Sequence, residues 1–125
     1  MRSALAMAVI VAAFVAASEA RAQTVGDPTA GETIYKRCQG CHSIDRNRIG
    51  PMHRGLFGRT AGSVEGFNYS TAMKNSGIVW DEETLDAFLA APREFVPGTK
   101  MTYAGIRDAQ ERADLIAWLR KATAP

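Results

Sequence analysis

The most constraining feature of the sequence is a pair of cysteines, three residues apart, with a histidine directly after the second. It reads Cys38-Gln39-Gly40-Cys41-His42, and the 125 residues contain no other cysteine. Residues three and four apart share one face of a helical turn, so both thiols and the imidazole can point the same way. This spacing is typical of covalent haem attachment. It predicts one haem c held by thioether bonds from Cys38 and Cys41, with His42 as an iron ligand.

Other interpretations of the cysteine pair fit the sequence less well. A redox disulfide would be expected in a βαβ context, and no convincing parallel strands are present. A zinc site needs four ligands, and the only other histidine is His53. A plain structural disulfide would leave the adjacent histidine unexplained.

The amino terminus has the features of a secretory signal. Arg2 precedes an apolar run from Leu5 to Ala17, and Ala20-Arg21-Ala22 offers small residues at a cleavage position. We therefore predict a signal peptide over residues 1–22, cleavage before Gln23, and export to the periplasm. An uncleaved anchor is the alternative, although the run is shorter than the roughly 20 residues that span a membrane.

Residues 23–125 form one predicted domain, which is small for a self-sufficient core. Loss of the signal leaves 13 of the 15 lysines and arginines and 12 of the 13 acids. A nearly neutral domain argues against a nucleic-acid partner, and any charge-based recognition must come from local patches. We predict a monomer.

Three amphipathic helices and a long glycine-rich middle are predicted. The first helix begins at Asp27-Pro28 and runs into the cysteine motif. Another is capped by Asp81 and stops before Pro92. The last covers about Asp108 to Ala122. Residues 43–79 contain six glycines and one short predicted helix, at Thr71 to Asn75. Such a long loop is uncommon in a compact domain unless it is functional, and wrapping a flat cofactor supplies that function.

The second axial ligand is open among several residues. Met52, His53, Met73 and Met101 are the candidates, and an empty position is a further alternative. Met52 and His53 follow His42 too closely to reach the opposite face of a porphyrin easily. We favour Met101, because the proline and glycine of Pro97-Gly98-Thr99-Lys100-Met101 make a rigid turn that can hold a thioether.

Several motifs in this order resemble those of class I cytochromes c, both mitochondrial and bacterial periplasmic. The resemblance covers nearly all of the chain after the signal. Its motifs are Cys38-Gln39-Gly40-Cys41-His42, Gly50-Pro51, Gly55-Leu56-Phe57-Gly58-Arg59, Gly66-Phe67-Asn68-Tyr69, Gly77-Ile78-Val79-Trp80, Pro97-Gly98-Thr99-Lys100-Met101, Ala104-Gly105-Ile106 and Asp114-Leu115-Ile116-Ala117-Trp118-Leu119. The implied fold is the small all-α cytochrome c fold, with three main helices, a short one and loops around the haem.

The resemblance also implies roles for individual residues. His42 and Met101 are the implied axial ligands, and the Pro51 carbonyl accepts a hydrogen bond from the second nitrogen of His42. The residues implied to surround a haem propionate are Arg59, Tyr69, Trp80 and Thr99. Tyr103 is implied beside the haem edge, and the crossing of the first and last helices is implied at Gly31, Tyr35, Leu115 and Trp118.

The chain departs from the family pattern at a few positions. His53 and Arg54 stand where Leu-His is common, which places a histidine with a pKa near neutral pH on a haem-packing surface. Met73 and Phe88 replace an asparagine and a tyrosine of mitochondrial members, so the polar network near the methionine ligand is reduced. The segment between His42 and Gly50 is also three residues shorter than in mitochondrial members of the family.

The implied function is a one-electron carrier rather than an enzyme. Its partners would be redox complexes with acidic docking surfaces: a cytochrome bc complex, terminal oxidase, reaction centre or dehydrogenase. The implied docking patch consists of Arg37, Arg93, Lys100 and Arg107, with Glu94 and Asp108 diluting its charge. The alternatives are a haem enzyme or ligand sensor with a labile sixth ligand, and an electron-accepting subunit of a periplasmic dehydrogenase.

Overall fold

A computed structural model describes residues 24–125, which fold into five helices joined by long loops. They are α1 (Pro28–Tyr35), α2 (Thr71–Lys74), α3 (Glu82–Ala90), α4 (Pro92–Phe95) and α5 (Ala109–Ala122). The predicted signal peptide lies outside the described residues. Within those residues, no helix is long and apolar enough to cross a membrane.

Side-chain caps begin the three longer helices; the sequence predicts those at Asp27 and Asp81, and the structure adds Asp108. Asp27 accepts a hydrogen bond from the Thr29 amide at 2.8 Å. Asp81 and Thr84 form a reciprocal capping box at the start of α3. Asp108 accepts from the Glu111 amide at 2.8 Å, which begins α5. Such caps satisfy backbone donors that have no partner within the helix.

Helices α1 and α5 cross closely at Gly31. A β-carbon at Gly31 would overlap the Asp114 carbonyl and lie 2.8 Å from the β-carbon of Trp118. At the same crossing, the ring of Tyr35 packs against the ring of Trp118, with centroids 4.3 Å apart. The side chain of Asp114 accepts from the Asp27 amide at 2.7 Å, which ties the chain before α1 to α5.

We expect Gly31→Ala to destabilise the domain by loosening this crossing. The new methyl group meets backbone rather than a side chain that could move away, and overpacking of this kind costs up to about 3 kcal/mol. The higher helix propensity of alanine offsets about 1 kcal/mol of this cost. Thermal or denaturant unfolding should show a net loss of about 2 kcal/mol in the free energy of unfolding.

Gly40→Ala is the matched control for that experiment. No atom lies within 4 Å of where a β-carbon would be added to Gly40. Its stability should stay within about 0.5 kcal/mol of the unchanged protein. An equal fall in the free energy of unfolding in Gly31→Ala and Gly40→Ala would contradict a close crossing at Gly31.

The all-α fold class is confirmed. The described residues contain no strand, only an isolated antiparallel bridge between Thr60 and Val79. Helix α3 ends before Pro92 as expected, but the sequence analysis did not predict that Pro92 also begins the short helix α4. Proline fits there because the first helical residue needs no amide hydrogen bond. Helix α3 packs against α5 and against α4.

Candidate functional site

A cavity of about 300 Å³ lies between the loops and the α1–α5 pair. All nine site residues predicted from the sequence line it. They are Cys38, Cys41, His42, Pro51, Arg59, Tyr69, Trp80, Thr99 and Met101. Residues that lie up to 63 positions apart in the sequence therefore meet around a single space.

The cysteine motif forms a helical turn at one wall of the cavity. The amides of Cys41 and His42 both donate to the Cys38 carbonyl, at 3.1 and 2.9 Å. No disulfide joins Cys38 and Cys41. Burial raises the pKa of the Cys38 thiol to about 11.

The imidazole of His42 is oriented for metal ligation. Its Nδ1 donates to the Pro51 carbonyl at 2.9 Å, which leaves the lone pair on Nε2. Burial lowers the pKa of His42, although the Pro51 hydrogen bond acts in the opposite direction. A neutral ring is the form that binds metal. Gly50 allows this placement, because a β-carbon there would overlap the imidazole.

Met101 sits on a loop that is fastened at three points. The Ile106 amide donates to the Leu89 carbonyl at 2.8 Å, at the end of α3. Arg93 donates to the Thr102 carbonyl at 2.8 Å, and Lys100 donates to the Asn68 carbonyl at 3.0 Å. These hydrogen bonds restrain the loop backbone, and the half-buried Met101 side chain lines the cavity.

The cavity wall suits a large apolar group that carries acidic substituents. Arg59, Arg37 and Lys100 line it, whereas no aspartate or glutamate of the described residues does. Arg59 Nε is buried without a hydrogen-bond partner, and burial lowers the pKa of this guanidinium. A terminal nitrogen of the half-buried Arg59 donates to the Arg54 carbonyl at 3.1 Å, but Nε has no partner, so a carboxylate at this position would stabilise the site. A haem propionate provides such a carboxylate.

The remaining wall is apolar, and it includes two of the family departures. Met73 is buried, and the ring of Phe88 packs against Trp80 with centroids 5.1 Å apart. Among residues 24–125, no group of three or more His, Cys, Asp or Glu could hold a metal ion. The buried Met73 and Phe88 give this wall the apolar surface that would pack against a face of a haem.

Comparisons with known proteins agree with this geometry. The family model for cytochrome c matches residues 28–123. The chain belongs to the cytochrome c family. A cytochrome c2 from Rhodomicrobium vannielii is 48% identical over 103 residues, covering 80% of this chain and 82% of its own. A cytochrome c from Ginkgo biloba is 43% identical over 102 residues, covering 78% and 90%.

A solved structure extends the comparison to the fold. Cytochrome cH from Methylobacterium extorquens superposes with a TM-score of 0.75 and 41% identity, covering 77% of this chain and 99% of that one. Cytochromes c bind covalent haem c, so haem c is the cofactor of this cytochrome. The chain is accordingly an electron-transfer haem protein.

One expectation about His53 is wrong. Burial, followed by repulsion from His42 and Arg59, holds the pKa of His53 well below its usual value. The ring is therefore neutral at neutral pH and does not titrate there. It lines the cavity and stacks on His42, which the sequence analysis did not foresee.

The implied docking patch is only partly placed at the cavity. Arg37 and Lys100 line it, whereas Arg93 and Arg107 do not. Arg37 also forms a two-pronged ion pair with Glu111, with both N–O distances 2.9 Å. The sequence predicts Glu94 and Asp108 as the diluting acids, but the acid paired with Arg37 is Glu111, which lies 74 residues away and is brought close by the α1–α5 crossing.

Proposed function

We propose that this cytochrome c is a periplasmic one-electron carrier with His42 and Met101 as axial ligands, and not an enzyme. The observation that carries the proposal is that a neutral, oriented imidazole and a thioether line the same cavity. The haem supplies an iron that cycles between the ferric and ferrous states. Histidine and methionine together fill both axial positions and favour a raised reduction potential.

The chain's own residues favour electron transfer over bond chemistry. Pro51 fixes the tautomer of His42, and three hydrogen bonds fix the loop of Met101. A haem enzyme needs an open position with an acid–base group beside it. No aspartate or glutamate of the described cavity lining serves as that group. The neutral imidazole of His53 lies against His42 rather than beside a free position.

The proposed compartment is the periplasm, reached through the signal peptide predicted over residues 1–22. The cysteine pair supports export, because haem thioethers are made outside the cytoplasm in bacteria that export such proteins. Partners would be a cytochrome bc complex, terminal oxidase, reaction centre or dehydrogenase. They would meet the cavity mouth, where Lys100 is exposed and Arg37 is neutralised by Glu111.

We expect Lys100→Gln to weaken the salt dependence of electron transfer. Lys100 is the exposed cation that lines the cavity and forms no ion pair in the described residues. Electrostatic steering raises association rates by about 10-fold or more. Added salt removes that gain, because the screening length falls to about 8 Å at physiological ionic strength. Stopped-flow reduction by a purified cytochrome bc complex across ionic strength measures the effect.

Lys121→Gln is the matched control, since it removes the same charge from an exposed position at the end of α5, away from the cavity. The unchanged protein and Lys121→Gln should both lose rate steeply with salt, and Lys100→Gln less so. A salt-independent rate in the unchanged protein would contradict docking at an acidic partner surface.

A further inference from the structure

His53 lies directly against the proposed axial ligand. The imidazole rings of His42 and His53 are stacked, with centroids 4.2 Å apart and planes inclined by only 20°. The Pro51 carbonyl holds the Nδ1 edge of His42 at 2.9 Å. One neighbour therefore restrains an edge of the His42 ring and the other restrains a face.

Tyr35 in turn holds His53. The Tyr35 hydroxyl is 2.9 Å from Nδ1 of His53. A neutral imidazole has one donor and one acceptor nitrogen, and a phenol can do either, so this contact is a hydrogen bond in both tautomers of His53.

Tyr35 itself is immobilised by the helix crossing. It is only 2% exposed, and its ring packs on Trp118 of α5. A continuous set of contacts thus leads from the α1–α5 crossing through Tyr35 and His53 to the ring of His42. An apolar residue in place of His53 could pack on His42, but it would leave the Tyr35 hydroxyl without this partner, which costs free energy in a buried setting.

We propose that Tyr35 and His53 are positioning residues that fix the plane of the His42 imidazole at the iron. The proposal rests on the proposed function, since it needs His42 as an axial ligand. Fixing the ring before and after electron transfer limits the rearrangement that accompanies a change of oxidation state. The hydrogen bond and the stacked face act together, so removing either should let the imidazole plane turn.

Proton NMR of the ferric holoprotein tests the proposal, because the pattern of haem methyl shifts reports the orientation of an axial imidazole. We expect Tyr35→Phe and His53→Leu each to change that pattern. In the His53→Leu background, Tyr35→Phe should change nothing further, since its hydroxyl acts through His53. Tyr35→Phe keeps the aromatic ring and removes one oxygen, so it carries the test even if His53→Leu folds poorly.

Ile116→Val is the control for lost stability, because Ile116 is buried in α5 and does not line the cavity. It should lower the melting temperature and leave the haem methyl pattern unchanged. If Tyr35→Phe and His53→Leu behave as Ile116→Val does, the positioning role is wrong. If the unchanged protein does not use His42 as an iron ligand, the ligand assignment fails and the positioning proposal with it.

Discussion

Met101→Ala should open the iron to external ligands and lower its reduction potential. Loss of the thioether leaves one axial position to water or an added ligand, and methionine ligation is what raises the potential in this type of site. Axial ligands set haem potentials over a range of about 0.8 V, and we expect a fall of roughly 0.2 V. Carbon monoxide binding by the reduced protein and a redox titration measure the two effects.

Two other methionines provide controls for this substitution. Met52 does not line the cavity, so Met52→Ala should leave the spectrum and the potential as in the unchanged protein. Met73 is buried in the cavity wall, so Met73→Ala should cost stability while the iron stays closed to carbon monoxide. A closed iron in Met101→Ala, with an opened one in either control, would assign the sixth ligand to that other residue.

His42→Ala should prevent accumulation of a folded holoprotein. Its effect exceeds the loss of one contact, because the haem fills the space around which the chain folds. Without the haem, the apolar side chains around this space of about 300 Å³ would face water, and the stabilisation from burying them would be lost. Whole domains are stable by only about 5–15 kcal/mol. The yield of haem-bearing protein and circular dichroism of the purified chain measure the outcome.

Gln39→Ala is the control within the same motif. Gln39 is exposed, and its hydrogen bonds in the described residues involve only its backbone. This variant should accumulate as holoprotein at the normal yield. A stable, folded haem protein from His42→Ala would refute His42 as the proximal ligand.

Local features were predictable wherever short-range chemistry decides them. Asp27, Asp81 and Asp108 begin helices because their carboxylates accept from nearby amides, and this depends on residues only two or three positions away. The cysteine motif and the methionine turn are equally local. The resemblance then supplied the distant members of the site, such as Arg59 and Trp80, which periodicity and spacing alone do not bring together.

Features that depend on tertiary placement could not be predicted in the same way. The pKa of His53 follows from burial against His42, which no sequence spacing reveals. Arg37 is neutralised by Glu111 only because α1 and α5 cross. Helix α4 begins at Pro92, a residue whose usual meaning is that the preceding helix stops. The pKa of His53 and the pairing of Arg37 depend on the tertiary structure. The start of α4 depends on how the chain continues after Pro92.

A redox titration of the visible and near-infrared spectrum of the purified holoprotein tests the central claim most directly. We expect a single reversible one-electron transition, low-spin iron in both states, and a methionine-to-iron charge-transfer band in the ferric form. High-spin ferric iron that binds carbon monoxide freely once reduced would contradict it. That result would point to a haem enzyme or ligand sensor instead of a carrier ligated by His42 and Met101.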